Sequence, residues 1–164
     1  MSLPWGLYTN LVESTKFHLT TKISDDGIVD YEGNSIVVDV ARKKDDNWTI
    51  PRITILYSQE NDLGQPFLGN TIRDDRHLLI FDIYAVDEPQ RLDLAKWLRD
   101  KLIDGWRYYS YVTNPSDRDN PTKTAGGLIN LDTILSNNKA FENVNVSEID
   151  SHRHRISVTV WIGV

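Results

Sequence analysis

The sequence has 164 residues, a formal net charge of −6 and no cysteine. That length suits one domain with a core that needs no covalent staples, and five Trp and seven Tyr among many aliphatic residues rule out disorder throughout. Disulfides and thiolate metal sites are excluded. The acidic balance also speaks against nucleic-acid binding as the main task, because neutralising phosphates takes clustered Lys and Arg. The basic residues are scattered apart from Arg42-Lys43-Lys44 and Arg153/Arg155, and both groups have acidic neighbours.

No apolar run reaches membrane-spanning length, so no membrane association is expected. Residues 1–16 lack a basic start followed by a long apolar stretch, so no secretion signal is expected. The missing cysteines suit assembly in a host cytoplasm. No repeat is visible at periods of 20 to 50 residues, and the whole of 1–164 reads as one domain.

In chain order, Tyr8, Leu11, Val12 and Thr15 have helical spacing, which predicts a short N-terminal helix within residues 3–19. Asp25-Asp26-Gly27 marks a turn. Ile36, Val38 and Val40 alternate with Val37, Asp39 and Ala41, a strand pattern. Pro51 stands before a second strand, in which Ile53, Ile55 and Tyr57 oppose Thr54, Leu56 and Ser58. Residues 59–76 are polar, contain Gly64, Pro66 and Gly69, and are expected to form a long loop.

Residues 77–86 form the most apolar strand. Leu79, Phe81, Ile83 and Ala85 make one face, while Leu78, Ile80, Asp82 and Tyr84 make the other, so the strand is expected to be central or covered on both sides. The strongest helix signal spans about 88–104. Asp87 is placed to cap it with Gln90 three residues on, Pro89 falls in the first turn, and Leu94, Ala95, Leu98 and Leu102 form the buried stripe. Gly105 is suited to end it. Trp106 to Val112 reads as a strand, 113–127 as a second long loop rich in Asn, Pro, Asp and Gly, and Ile129–Leu135 as a strand or a short helical piece. The closing strand sets His154, Ile156, Val158, Val160 and Ile162 against Arg155, Ser157, Thr159 and Trp161. The expected class is α+β: an antiparallel or mixed sheet packed by one long helix and a short N-terminal one.

Several groups bear on chemistry. Thr122-Lys123-Thr124-Ala125-Gly126-Gly127 lacks the glycine that a phosphate loop needs ahead of its lysine, and a mobile loop accounts for it better. His152 and His154 share a strand face, so they either bind a divalent ion with Asp150 or Glu148, or make surface hydrogen bonds at a strand entry. Asp39 and Asp82 interrupt apolar strands. On neighbouring strands they would hold Mg²⁺ for phosphodiester hydrolysis, and this metal-dependent hydrolase is the serious enzymatic alternative. The plainer reading puts both on a polar sheet face or at a subunit contact. No Gly-x-Ser-x-Gly elbow occurs, no cofactor is implied, and no catalytic or metal residue is assigned. Trp106, Tyr108, Tyr109 and Tyr111 crowd one strand, which can send only alternate side chains into one core. The remaining rings serve either an oligomer interface or a second covering layer within the chain.

The segment His77-Leu-Leu-Ile-Phe-Asp-Ile-Tyr-Ala-Val-Asp87, the helix Glu88 to Gly105 and Trp106-Arg-Tyr-Tyr-Ser-Tyr111 together resemble the tail-terminator or tail-completion (neck) proteins of long-tailed phages. The closing Arg153-His-Arg-Ile-Ser-Val-Thr-Val-Trp-Ile-Gly163 is similar to the last strand of such proteins. These segments cover under a third of the chain and are strand and helix patterns, not chemical signatures. Residues 1–76 carry no family motif, which leaves terminator, stopper and other neck roles open. The resemblance implies a non-enzymatic virion protein, assembled in the host cytoplasm as a ring, typically sixfold. Its partners would be itself, the tail tube protein and the head-side connector, with DNA at most passing through. Expected partner-binding positions are Gln65, Phe67 and Asn70 in the first loop and Arg118 and Lys123 in the second. Tyr108, Tyr109 and Tyr111 are the expected oligomer contacts.

Overall fold

A computed structural model describes residues 5–41, 48–58, 76–137 and 153–163, without the side chains of 118, 136 and 137. The elements in chain order are helix α1 (Leu7–Asp26), strands β1 (Val37–Val40), β2 (Arg52–Ser58) and β3 (Arg76–Tyr84), helix α2 (Glu88–Leu102), and strands β4 (Trp106–Asn114), β5 (Asp117–Asn137) and β6 (Arg153–Gly163). The six strands form one sheet in the order β1-β2-β3-β6-β5-β4. β1 runs parallel to β2 and every other pairing is antiparallel. The class is therefore α+β with a mixed sheet.

β3 and β6 sit at the centre, as the apolar pattern of 77–86 predicts. Their Leu79, Phe81, Ile83, Ile156, Val158 and Val160 are fully buried against the helices. At about 1.5–3 kcal/mol for each buried aliphatic or aromatic side chain, this layer dominates stabilisation of the fold. α2 follows its sequence signals closely. The Asp87 carboxylate accepts from the Gln90 N–H at 3.0 Å, and Gln90 Oε1 accepts from the Val86 N–H at 2.9 Å. A cap of this kind contributes about 1 kcal/mol. Leu94, Ala95, Leu98 and Leu102 are buried beneath the helix. Gly105 turns the chain at φ +71°, and a Cβ there would stand 2.5 Å from the Ile129 carbonyl oxygen, so only glycine fits.

Two expectations need correction. The N-terminal helix is not short: it runs to Asp26 and ends on Gly27 in the left-handed conformation. Residues 113–127 are not a loop but a hairpin, in which β4 and β5 turn at Pro115-Ser116 and pair back through Val112↔Thr122, Tyr111↔Lys123 and Tyr109↔Ala125. The composition suggested a loop because Asn, Pro and Gly are poor strand formers. The ladder from β4 outweighs that preference, and the turn is held by the Asn114 side chain accepting from the Ser116 N–H. Residues 129–135 are strand, within β5. Arg76 begins β3, and the rest of the 59–76 expectation lies outside the described residues.

α1 has an unusual interior. Asn10, Ser14 and Thr15 are buried beside Leu11, Leu19 and Ile23. The polar residues meet β4, the last strand of the sheet. Ser14 Oγ accepts from the Tyr109 N–H at 2.9 Å, and Asn10 Oδ1 accepts from the Tyr111 N–H at 3.1 Å. Ahead of the helix, the Trp5 N–H donates to the Tyr111 carbonyl. Thr15 Oγ1 accepts from the Trp106 indole at 3.0 Å. Backbone groups that an edge strand would leave unpaired are thus bonded by a helix. On the opposite side of α1, Tyr8 stacks on Tyr57 of β2 and Lys16 pairs with Asp39 of β1. One helix about 10–12 Å across therefore touches both ends of the strand order, and the sheet curls around it.

His18 locks α1 to α2. Its Nε2 donates to the Lys101 carbonyl at 3.0 Å, and its ring stacks on Trp106. Burial pushes its pKa below the ordinary 6.5. The bond to the carbonyl opposes that shift, and the charges of Lys22 and Lys101 add to it. Asp26 closes the same contact, taking the Trp97 indole N–H at 2.8 Å and the Lys101 ammonium at 2.7 Å.

Candidate interaction face

Both helices pack on the concave side, so alternate residues of the central strands point outward. Strand register places them in rows. Arg52, Tyr84 and Arg153 form one row, and Thr54, Asp82 and Arg155 the next. Leu56, Ile80, Ser157 and Leu135 form a third, followed by Ser58, Leu78, Thr159 and Thr133. Arg76, Trp161 and Asn130 come next, then Arg107, Leu128 and Gly163. The face thus runs from a charged end through an apolar band to a Trp and Leu end.

The charged end is organised around Asp82, which is 7% exposed. Its carboxylate takes Arg153 Nη2 at 2.7 Å and Arg155 Nε and Nη2 at 2.8 and 2.9 Å. The two bonds from Arg155 are the paired fork geometry that makes Arg–carboxylate contacts strong and directional. Arg153 also lies over the Tyr84 ring, Tyr84 meets Trp48 edge to face, and Arg52 lies over Trp48. Arg52 reaches Asp39 at 3.5 Å, and Arg76 reaches Asp132 at 3.2 Å.

Within the apolar band and beyond it, large side chains stay in solvent: Leu135 is 61% exposed, with Leu56, Leu128 and Trp161 also exposed. Cation type divides by side. Arg52, Arg76, Arg107, Arg153 and Arg155 stand on the outer face, whereas the described lysines are carried by the helices or, in the case of Lys123, lie over the Phe17 ring of α1. Arginine and aromatic residues with few lysines is the composition of protein contact surfaces.

The acids and histidines do not converge. Asp39 and Asp82 share the outer face but are not on neighbouring strands. Both register with Thr54 of β2, one from each side, so their strands are two spacings apart, about 10 Å. Each is also engaged by arginine. That corrects the pairing on which the metal-hydrolase alternative depends. His154 points to the concave side in register with Ile83. Burial, then the charges of Arg91 and Arg99, push its pKa below the ordinary value. His152 lies outside the described residues. Among the described residues no three His, Asp or Glu groups come together as a metal site.

The tyrosines have partners inside the chain. Tyr111 stacks on Trp5, and Tyr109 meets Phe17 edge-on. Tyr108 lies across Gly126, where a Cβ would come within 2.9 Å of its ring. Burial, then the charges of Glu13 and Tyr109, push the Tyr111 phenol up to about 12. The covering layer within the chain therefore accounts for these rings. Lys123 is on β5, with its ammonium 3.3 Å from the Phe17 ring centre and 4.6 Å from that of Tyr109, an intramolecular role. Arg118 is on β5, and Gln65, Phe67 and Asn70 lie outside the described residues. Sequence reading did not single out Leu56, Leu128, Leu135 and Trp161. Their signal was available as large apolar residues at outward strand positions.

Compared with known proteins, the sequence matches no family model and no curated protein.

Proposed function

We propose that the chain is a structural virion protein of a phage tail or neck, forming a ring that caps the tail tube and joins it to the head-side connector. One observation carries this reading. The two segments that resemble neck proteins, 77–112 and 153–163, are separated in sequence but adjacent in space. β6 pairs with β3 along its whole length from Arg76↔Trp161 to Tyr84↔Arg153, and α2 packs on both. The resemblance thus falls on one physical unit. The outer face supports the same reading, since its arginine, Trp and Leu side chains suit contact with another protein surface. A ring follows when a heterologous contact closes by rotation.

The test is the mass of the purified chain in solution, by light scattering and native mass spectrometry, with electron microscopy of the assembled species. A closed ring is expected, together with binding to isolated tail tubes. A strict monomer that never joins tails would defeat the proposal.

A further inference from the structure

The outer face and the exposed side of α2 are chemically complementary. Five arginines on the outer face stand against Asp39, Asp82 and Asp132, so the face has a positive excess in a chain whose net charge is −6. The rest of the molecule therefore carries more than the whole negative excess. Part of it lies on α2 and its C-terminal turn, where Asp93, Asp100 and Asp104 are exposed. Two apolar side chains stand among them: Leu92, 45% exposed, and Ile103, 64% exposed. They lie about three turns apart on one side of the helix. Lys96 and Arg99 share this surface but do not offset its acids once Glu88 is included. The outer face shows the converse, with Leu56, Leu135 and Trp161 framed by arginine.

Resting on the ring reading, we propose that the outer sheet face of one copy docks on the exposed side of α2 of the next. The two surfaces lie on opposite sides of the fold, because α2 packs on the concave side. The contact is therefore front to back and heterologous, the kind that propagates into a ring or a filament. Docking copies by the outer face alone would instead set arginines against arginines. Like charges across an interface cost several kcal/mol, which selects against that symmetric arrangement.

The test uses one variant for each side, Leu135→Glu for the outer face and Ile103→Arg for α2. Both sites are exposed, so each monomer should keep its fold, as checked by circular dichroism and melting temperature. Each variant alone is expected to self-associate about tenfold more weakly or worse, read by analytical ultracentrifugation. Mixed in equal amounts, they should form a dimer and stop there, because each keeps one intact surface. Leu135→Lys should assemble better than Leu135→Glu. If the parent chain assembles and neither variant weakens it, the assignment of faces fails while the ring reading stands. Equal loss with Lys and Glu removes the acidic partner surface, and a mixture that stays monomeric removes the heterologous contact. A parent chain that is monomeric throughout overturns the ring reading and this inference with it.

Discussion

The two faces of the central strands are made by the same residues' neighbours, one position apart, yet they obey different rules. On the concave side Phe81 and Ile156 are fully buried and the surroundings are aliphatic. On the outer side, one residue along, Asp82 meets Arg155 and both carry charge. The concave face stabilises by excluding water, and its contribution falls with every atom removed. The outer face is held by directional bonds at one end and leaves apolar groups in solvent at the other. Alternation on a strand thus separates what holds this fold together from what it offers to a neighbour.

Phe81→Ala is the sharpest way to break that contrast from the concave side. It should cost about 3–5 kcal/mol, read as a lower urea midpoint with an unchanged slope. Asp82→Ala attacks the ordered end of the outer face and removes three charge-assisted bonds. A loss of about 2 kcal/mol is expected, and Asp82→Asn should retain part of it. If Asp82→Ala were as stable as the parent, the arginine cluster would have no structural role. Removing a single β4-edge partner, Asn10→Ala or Ser14→Ala, should cost about 1 kcal/mol. It should also speed amide exchange at Tyr111 or Tyr109 respectively.

Acid should act on the concave side first. His18 and His154 have pKa values below 6.5 in the fold, so the unfolded chain binds protons more readily than the native one. Stability is therefore full above about pH 6.5 and declines as the pH falls through the lowered values. Urea midpoints at pH 7.5 and 5.5 should show the drop, and His18→Gln should reduce it. A midpoint that rose on acidification would contradict the burial of these rings. The smallest effect is expected from Leu135→Ser on the outer face, within about 0.5 kcal/mol, because nothing in the monomer is lost.

What could be read from the sequence depended on how far each interaction reaches along the chain. α2 was legible because Asp87, Gln90 and the Leu94/Leu98/Leu102 stripe act within a few turns. The central strands were legible because their apolar alternation is local. The hairpin at 113–127 was not, since its strand character comes from pairing rather than from composition. Nor was the length of α1: Asn10, Ser14 and Thr15 look like outward positions in any helical projection, and only the edge of β4 explains why they face in. The outer face was half legible. Its row of Leu56, Ile80 and Leu135 required the strand order, which alternation does not supply.

The bond between Asn10 and Tyr111 spans 101 positions, and that span bears on the order of events during synthesis. α1 leaves the ribosome first, carrying polar groups that have no strand to meet. At roughly 5–20 residues per second, β4 follows after an interval on the order of ten seconds. Until then the nascent helix has only its apolar stripe to bury. The seam between the two ends of the sheet can close only once most of the polypeptide has been made, so an N-terminal fragment that ends before Trp106 should not reach the native arrangement of α1.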